Sequence, residues 1–507
     1  MPRLAPPPEF VALLAVAFGL RLGAVYLAPN IHWPDEIFQG MEPAHRLVFG
    51  TGAVAWEWLV GARSWLLPGL IAALMEVGRL FGDAPAIVNL PVVICLAAAG
   101  CVPAACAYGW ARRFGGRAGG FVAASVPAVW VDLVYMSCHS LAEVMAADCL
   151  PAALYLGLRR GGEPVSRRRL WAAGALLGLT FAFRFHLAPA LTLAAFGMGG
   201  WRNGWAPWRA LLAGACAPVL ALGLLDWATL GAPFQSIAFN LWFNLEEGAD
   251  YAGRSPAATL IVLPLYLWGA GFAAMIFTAI LGARRLPAVG GVIVVIFAIY
   301  SAIAHKEYRF IYPALVLIAI LAGIGSAELL RYWRQSPRRL FATARVPAAL
   351  AALAWLAVSA ALAHSAVYRQ PWTRARAQIA AFDFVDRRPD LCGLGLYGVR
   401  WLVTPGDSGL PPGVGLDQTS APHLEHDLPA FNYILARAQA PVPDARYRRQ
   451  ACFRGDQVAA ARWAIHLCVW RRDGGCDAAA APGVPVNWPD TVTGKPEADP
   501  PPGWQDP

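Results

Sequence analysis

FIYPALVLIAILAGIGSAE, residues 310–328, decides how this chain is read. Its first 18 residues carry no charge, and charged residues bracket it, HKEYR at 305–309 and Glu328 with Arg331 beyond. A helix of that length rises about 27 Å, close to the ~30 Å hydrocarbon layer of a bilayer. Similar apolar stretches occur near 10–28, 86–110, 119–136, 143–158, 170–186, 187–201, 210–226, 257–282, 287–304 and 346–364. Together they predict about eleven transmembrane helices. The stretch 65–82 is also apolar, but it carries Pro68, Glu76 and Arg79, and it reads as an interfacial or re-entrant helix.

Composition agrees with this reading. Hydrophobic residues make up 58% of the 507 and charged residues 14%, and mean hydropathy is +0.47. Soluble domains run near 25% charged, so an ordinary soluble enzyme, a coiled coil and a disordered chain are excluded. The net charge of +9 does not argue for nucleic acid, because in a membrane protein the placement of the charges carries the information. With the N-terminus inside and eleven spans, the inside segments hold 18 Arg. The outside segments before residue 365 hold Arg46, Arg63, Arg79, Arg254, Lys306 and Arg309. Positive charge collects on the cytoplasmic side of membrane proteins, so residues 29–85 and everything after 364 are expected outside.

The polar C-terminal part supports that side. Cys392, Cys452, Cys468 and Cys476 allow two disulfides in an oxidising compartment. The other six Cys lie in or beside apolar runs, where Cys acts as a small buried apolar residue. Turn-rich sequence and short apolar pieces at 365–482 predict a small mixed α/β extracytoplasmic domain. Residues 483–507, rich in Pro, Asp and Gly, are expected to be disordered. The division is thus 1–364 as a membrane module, with 29–85 as its first outer loop, then 365–482, then the tail. Few Lys among many Arg and Ala suggest a GC-rich bacterium, which would put the outer face in the periplasm.

This layout collects polar residues on one face, where ionisable groups are costly unless they have a function. In the first outer loop, Pro34 opens a helix on which Asp35, Gln39 and Glu42 share one face at i, i+4 and i+7. A carboxylate there can take a proton from a sugar hydroxyl; N-capping and a solvated acidic face account for the same spacing. In HKEYRF, His305, Lys306 and Arg309 crowd the end of a span and suit a phosphate, although interfacial snorkelling with a Lys–Glu pair gives the same pattern. Asp226 ends a span, and Asn240 and Asn244 lie at i, i+4 on an amphipathic helix suited to the interface. Arg21, Arg184 and His186 put basic groups in or beside spans, where they snorkel or face a lipid phosphate. His139 and Glu143 flank a short outer turn.

The order of these elements resembles glycosyltransferase family 22, the polyprenyl-phosphate-mannose-dependent mannosyltransferases of GPI-anchor and N-glycan assembly. WPDEIFQGMEPAHRLVFGTGAVAWEW, residues 33–58, is similar to the family's first-loop signature. RSWLLP at 63–68 resembles its continuation, and HKEYRFIYP at 305–313 its second hallmark. Asp226, Gly231, Asn240 and Asn244 are similar to a weaker third pattern, and Glu143 to an acidic residue of a short outer loop. Two departures stand out, His139-Ser-Leu-Ala before Glu143 and the RFH at 184–186.

The resemblance implies an all-α polytopic GT-C fold and inverting transfer of mannose from a polyprenyl-phosphate donor to a glycan or glycolipid hydroxyl at the outer face. It implies Asp35 as general base, Glu36 as a positioning group, and His305, Lys306 and Arg309 around the donor phosphate. Candidate donor- or acceptor-binding residues are Gln39, Glu42, His45, Trp56, Glu57, Arg63, Glu143, Arg184, His186, Asp226, Asn240 and Asn244. The lipid-linked sugar is a substrate; no cofactor and no metal are expected, and the partners are the donor, the acceptor and membrane lipids. Competing readings are a GT-C transferase for another polyprenyl-phosphate sugar, a lipid-linked sugar flippase or transporter, and a non-catalytic scaffold.

Overall fold

The computed structural model describes residues 6–159, 164–200, 204–246, 253–335, 343–399, 403–419, 424–439, 442, 444–455 and 465–477. The tail expected at 483–507 lies outside the described residues. The chain divides into two compact units, residues 1–24, 95–138 and 142–365, and residues 25–94, 139–141 and 366–507. The stretch 29–85, expected as the first outer loop, therefore groups with the C-terminal part of the chain.

The first unit is helical. Each predicted apolar stretch coincides with helix, but the structure does not carry the count to eleven. Among the described residues of the whole chain, five helical stretches are long and apolar enough to cross a membrane: Pro8–Leu27, Pro85–Val129, Trp205–Leu230, Tyr308–Gln335 and Arg345–Ala363. A sixth crossing arises if Thr259–Trp268 and Ala270–Ala283 act together. The sequence read 257–282 as one span, yet this pair bends by 113° at Gly269, whose φ of 48° is left-handed and ends the first helix. Phe185–Gly199 and Pro287–Ala302 are apolar but shorter, and Ala142–Gly157 and Arg167–Phe183 run 16 and 17 residues.

The stretch that opened the sequence reading is the centre of this unit: from Tyr312 to Ala327 its side chains are buried on every face. Small residues let its neighbours come close. A Cβ at Gly323 would meet the carbonyl of Ala123, and one at Gly325 that of Thr278. Such glycine contacts bring backbones together where lipid supplies no hydrophobic drive between helices. Arg21 neither snorkels nor faces lipid. It is fully buried, and its guanidinium donates to the carbonyls of Ala17, Pro127 and Ala128 at 3.0, 3.2 and 3.1 Å. Two of these carbonyls end the helix Val102–Val129, where a cation also complements the helix dipole.

The second unit holds a five-stranded sheet, β1 (Gly393–Tyr397), β2 (Gly415–Thr419), β3 (Tyr433–Arg437), β4 (Arg448–Phe453) and β5 (Leu467–Arg471), in the order β2-β1-β3-β5-β4. β1 runs parallel to β2 and β3, and β5 runs antiparallel to β3 and β4. The helix Arg376–Asp386 buries Ala377, Ala381, Phe382 and Val385 in the same core as Leu394, Leu396 and Val469 of the sheet. The four Cys of the polar C-terminal part form Cys392–Cys476 and Cys452–Cys468. Ile37, Phe38, Ala53 and Ala55 of the first loop enter this same core, which explains the grouping of the two segments. Leu66–Arg79 is a helix of 14 residues, about 21 Å long and too short to cross.

Candidate functional site

In the second unit, Pro34 starts one α turn, Pro34–Glu36, and the chain then widens into a π-helix, Ile37–Met41, before α geometry resumes at Glu42–Phe49. A π turn takes an extra residue and rotates everything after it. The shared face expected for Asp35, Gln39 and Glu42 is therefore broken: Asp35 is half-buried, Gln39 turns to Glu57, and Glu42 is fully buried.

Glu36 is buried beside Asp35 and clamped. Its carboxylate accepts the His32 backbone N–H at 2.7 Å and lies 2.5 Å from His139 Nδ1, while its carbonyl accepts the Ser140 hydroxyl at 2.9 Å. His139, one of the departures from the family pattern, thus holds the residue next to the candidate base. Glu57 ties the loop to its continuation: it accepts Gln39 Nε2 at 3.1 Å and Arg63 Nη2 at 2.7 Å. Trp58 donates to the Phe38 carbonyl at 2.9 Å, and Trp56 is buried. His45 Nδ1 lies 2.9 Å from the Thr51 carbonyl.

Glu42 is an anchor. Its carboxylate accepts the N–H of Ala53 at 3.0 Å and of Ser408 at 2.7 Å. Gly406, at φ 71°, has no room for a Cβ against it. Asp407 sits beside this carboxylate, and burial, the Glu42 charge and the hydrogen bond between them push its own carboxyl up to about 9. Asp407 is therefore the protonated member of the pair at neutral pH.

The first unit carries the basic residues in an alternating chain of charge. Arg184 Nη2 is 3.0 Å from Glu143 Oε1, and Arg309 Nε lies 3.8 Å from the same oxygen. Arg309 Nε is also 2.5 Å from Glu307 Oε2, and His305 Nε2 is 2.9 Å from Glu307 Oε1. Burial alone would raise the Glu307 carboxyl, but Arg309 and His305 outweigh it and hold it at about 2. Phe310 lies under both guanidiniums, 5.0 Å from Arg184 and 5.6 Å from Arg309, and stacks on Tyr300. His186 stacks on Phe185, 4.0 Å away. Lys306 differs from its neighbours. Its ammonium is buried and donates to the carbonyls of Ile303, Ser255 and Ala304 at 2.6, 2.8 and 3.4 Å. An ammonium has three N–H groups, so these three contacts match its capacity.

Asp226 accepts the backbone N–H and the hydroxyl of Ser236, closing the turn into the helix Gln235–Glu246. On that helix Asn244 donates to the Asn240 side-chain oxygen at 2.9 Å and to its carbonyl at 2.7 Å. Sequence reasoning missed Asp132. This buried carboxylate accepts the Trp268 indole N–H at 2.5 Å and the Tyr308 hydroxyl, and so fixes the middle of HKEYRF. An acidic residue inside the apolar stretch 119–136 was the available signal. Among the described residues, no group of three His, Cys, Asp or Glu side chains could hold a metal ion.

The profile of the Alg9-like mannosyltransferase family matches residues 13–370. GPI mannosyltransferase 3 of Yarrowia lipolytica is 28% identical over 352 residues, covering 65% of this chain and 63% of that protein. GPI alpha-1,2-mannosyltransferase 3 of Mus musculus is 24% identical over 363 residues, 67% of this chain and 63% of that protein. The chain thus spans less than two thirds of the length of these curated relatives. Among solved structures, ArnT from Cupriavidus metallidurans, bound to undecaprenyl phosphate, superposes with a TM-score of 0.54 at 14% identity. That match covers 93% of this chain and 99% of ArnT, and the shared feature is the GT-C fold.

Proposed function

The chain belongs to the Alg9-like mannosyltransferase family, and on that premise we propose that it moves mannose from a polyprenyl phosphate to a glycan or glycolipid hydroxyl. The acceptor oxygen attacks the anomeric carbon while Asp35 takes its proton. The bond from that carbon to the phosphate oxygen breaks on the opposite face, and the phosphate leaves with the electron pair. The product is inverted, an α-mannoside from a β-linked donor.

The observation that carries this reading is the contrast inside one dipeptide. Glu36 is buried and committed to His32 and His139, whereas Asp35 is half-buried beside it. One carboxylate is held in position; its neighbour is the one proposed to take the substrate proton. The other half of the reaction needs cationic groups for the leaving phosphate. Arg309 and Arg184 are the strongest candidates, with His305 beside them, because a guanidinium presents a fork suited to phosphate oxygens. Lys306 serves them at one remove, by fixing the turn at 303–306. ArnT, which shares the fold, carries a lipid phosphate of the class proposed here. The arginine-rich segments assigned inside, together with two disulfides in the polar part, support an active face outside the cytoplasm, in a bacterium the periplasm.

The test is transfer by purified protein in nanodiscs, with radiolabelled polyprenyl-phosphate mannose and a membrane lipid extract as acceptor. Wild type should form a labelled product and Asp35→Asn should not, while both bind donor. Transfer from a different polyprenyl-phosphate sugar, with none from mannose, would overturn the sugar. No transfer from any donor, with donor bound, would turn the reading toward transport.

A further inference from the structure

Resting on the donor-phosphate reading above, we infer that Glu307 is a charge-balancing residue that lets the enzyme release its phosphate product. The reaction changes the charge of the ligand. A sugar linked through phosphate to a polyprenol is a phosphodiester with one negative charge. When the bond to the anomeric carbon breaks, the phosphate keeps the electron pair and becomes a monoester. Above its second pKa of about 6, that monoester carries two charges. The acceptor's proton goes to Asp35, so atoms and charge balance.

A cluster built of cations alone would hold such a product more tightly than the donor. The cluster here is different. Arg184 and Arg309 are matched by Glu143 and Glu307, at contacts of 3.0 Å and 2.5 Å. Glu307 lies on the cations a phosphate would use, bridging Arg309 and His305. Its carboxyl is held at about 2, so it stays ionised at any working pH. Charge–charge energy is linear in the charge of the ligand. A fixed negative group therefore penalises a doubly charged product twice as much, in free energy, as a singly charged donor. The penalty falls where release is needed and weighs less where substrate must bind.

This gives a quantitative signature. Removing the charge should lower the donor KM by some factor and lower the product inhibition constant by about the square of that factor. Partial screening at the membrane surface sets the scale at about threefold for donor and about tenfold for product. A residue that merely oriented Arg309 would weaken both ligands together when altered.

The experiment uses the full chain in nanodiscs at pH 8. It measures the donor KM and the inhibition constant of undecaprenyl monophosphate for wild type, Glu307→Gln, Glu307→Asp and Arg309→Gln. Glu307→Gln should tighten both ligands, the product more, and lower kcat through slow release after a burst. Glu307→Asp, which keeps the charge, should keep the wild-type ratio of the two constants. Should the Gln variant fail to fold, Glu307→Ala reads the same ratio. Equal shifts, weakened binding, or an altered ratio in the Asp variant would overturn the inference. If Arg309→Gln changes neither constant, the donor-phosphate reading itself falls. If it weakens both while Glu307→Gln shows no selective gain, that reading stands and Glu307's role falls.

Discussion

Two buried carboxyls, one in each unit, end in opposite charge states. Glu307 meets Arg309 and His305 and is ionised down to about 2. In the first loop, Glu42 meets backbone N–H groups and another acid, and Asp407 keeps its proton up to about 9. The same side-chain chemistry serves opposite ends. Glu307 keeps its charge because cations balance it, whereas Asp407 loses its charge by keeping a proton against Glu42. Beside these two stands Asp35, half-buried next to the clamped Glu36.

Breaking the comparison at Asp35 should have the largest effect. Asp35→Asn is expected to lower kcat by about 1000-fold, within the range of general-base catalysis, and to leave donor binding unchanged. Radiolabel transfer beside donor titration checks it. Next is Arg184→Met, which takes from the buried Glu143 its 3.0 Å partner and leaves it Arg309 at 3.8 Å. Removing one partner of a buried ion pair costs about 3–5 kcal/mol, and thermal unfolding in detergent reads the loss.

The proton-sharing pair gives a smaller, pH-dependent effect. Asp407 is raised from an ordinary 3.8 to about 9, so the folded state binds the extra proton. Its contribution to stability is complete below about pH 4 and is lost as pH rises toward 9. Asp407→Asn, which cannot ionise, should match wild type in acid and gain on it steadily toward pH 9. A constant gap between the two melting curves would sink the shared-proton account. The smallest effect sharpens the comparison by repeating the Arg–carboxylate pair at the surface. Arg446 reaches Asp444 at 2.8 Å but is exposed. Arg446→Ala should shift stability by no more than about 0.5 kcal/mol.

Local pattern in the sequence foretold much of this. Apolar stretches mark the helices because lipid demands long apolar runs, and alternating turns and short apolar pieces mark the sheet. The count of crossings was less legible, because a bend such as that at Gly269 looks the same in composition as an unbroken helix. The π turn at Ile37–Met41 left no composition signal, and it rotated Glu42 away from Asp35. Partners distant in the chain were least legible. Glu143 gains its meaning from Arg184 and Arg309, and Lys306 from the Ser255 carbonyl, which no spacing rule connects. HKEYRF read as three cations; in space, one of them serves backbone carbonyls and the glutamate between them offsets another.

The hydrogen bond from Ser408 to Glu42 joins residues 366 positions apart. On a ribosome adding roughly 5–20 residues per second, Glu42 is made on the order of half a minute before its partner exists. Throughout that interval the first loop, Asp35 included, lacks the anchor that fixes its shape. The second unit needs residues beyond 365, so its carboxylates reach their final arrangement after the helices of the first unit have been synthesised. A nascent chain stalled before residue 408 would thus display the first loop's sequence without its anchored geometry. The order of synthesis itself delays the anchored loop until Ser408 has been added.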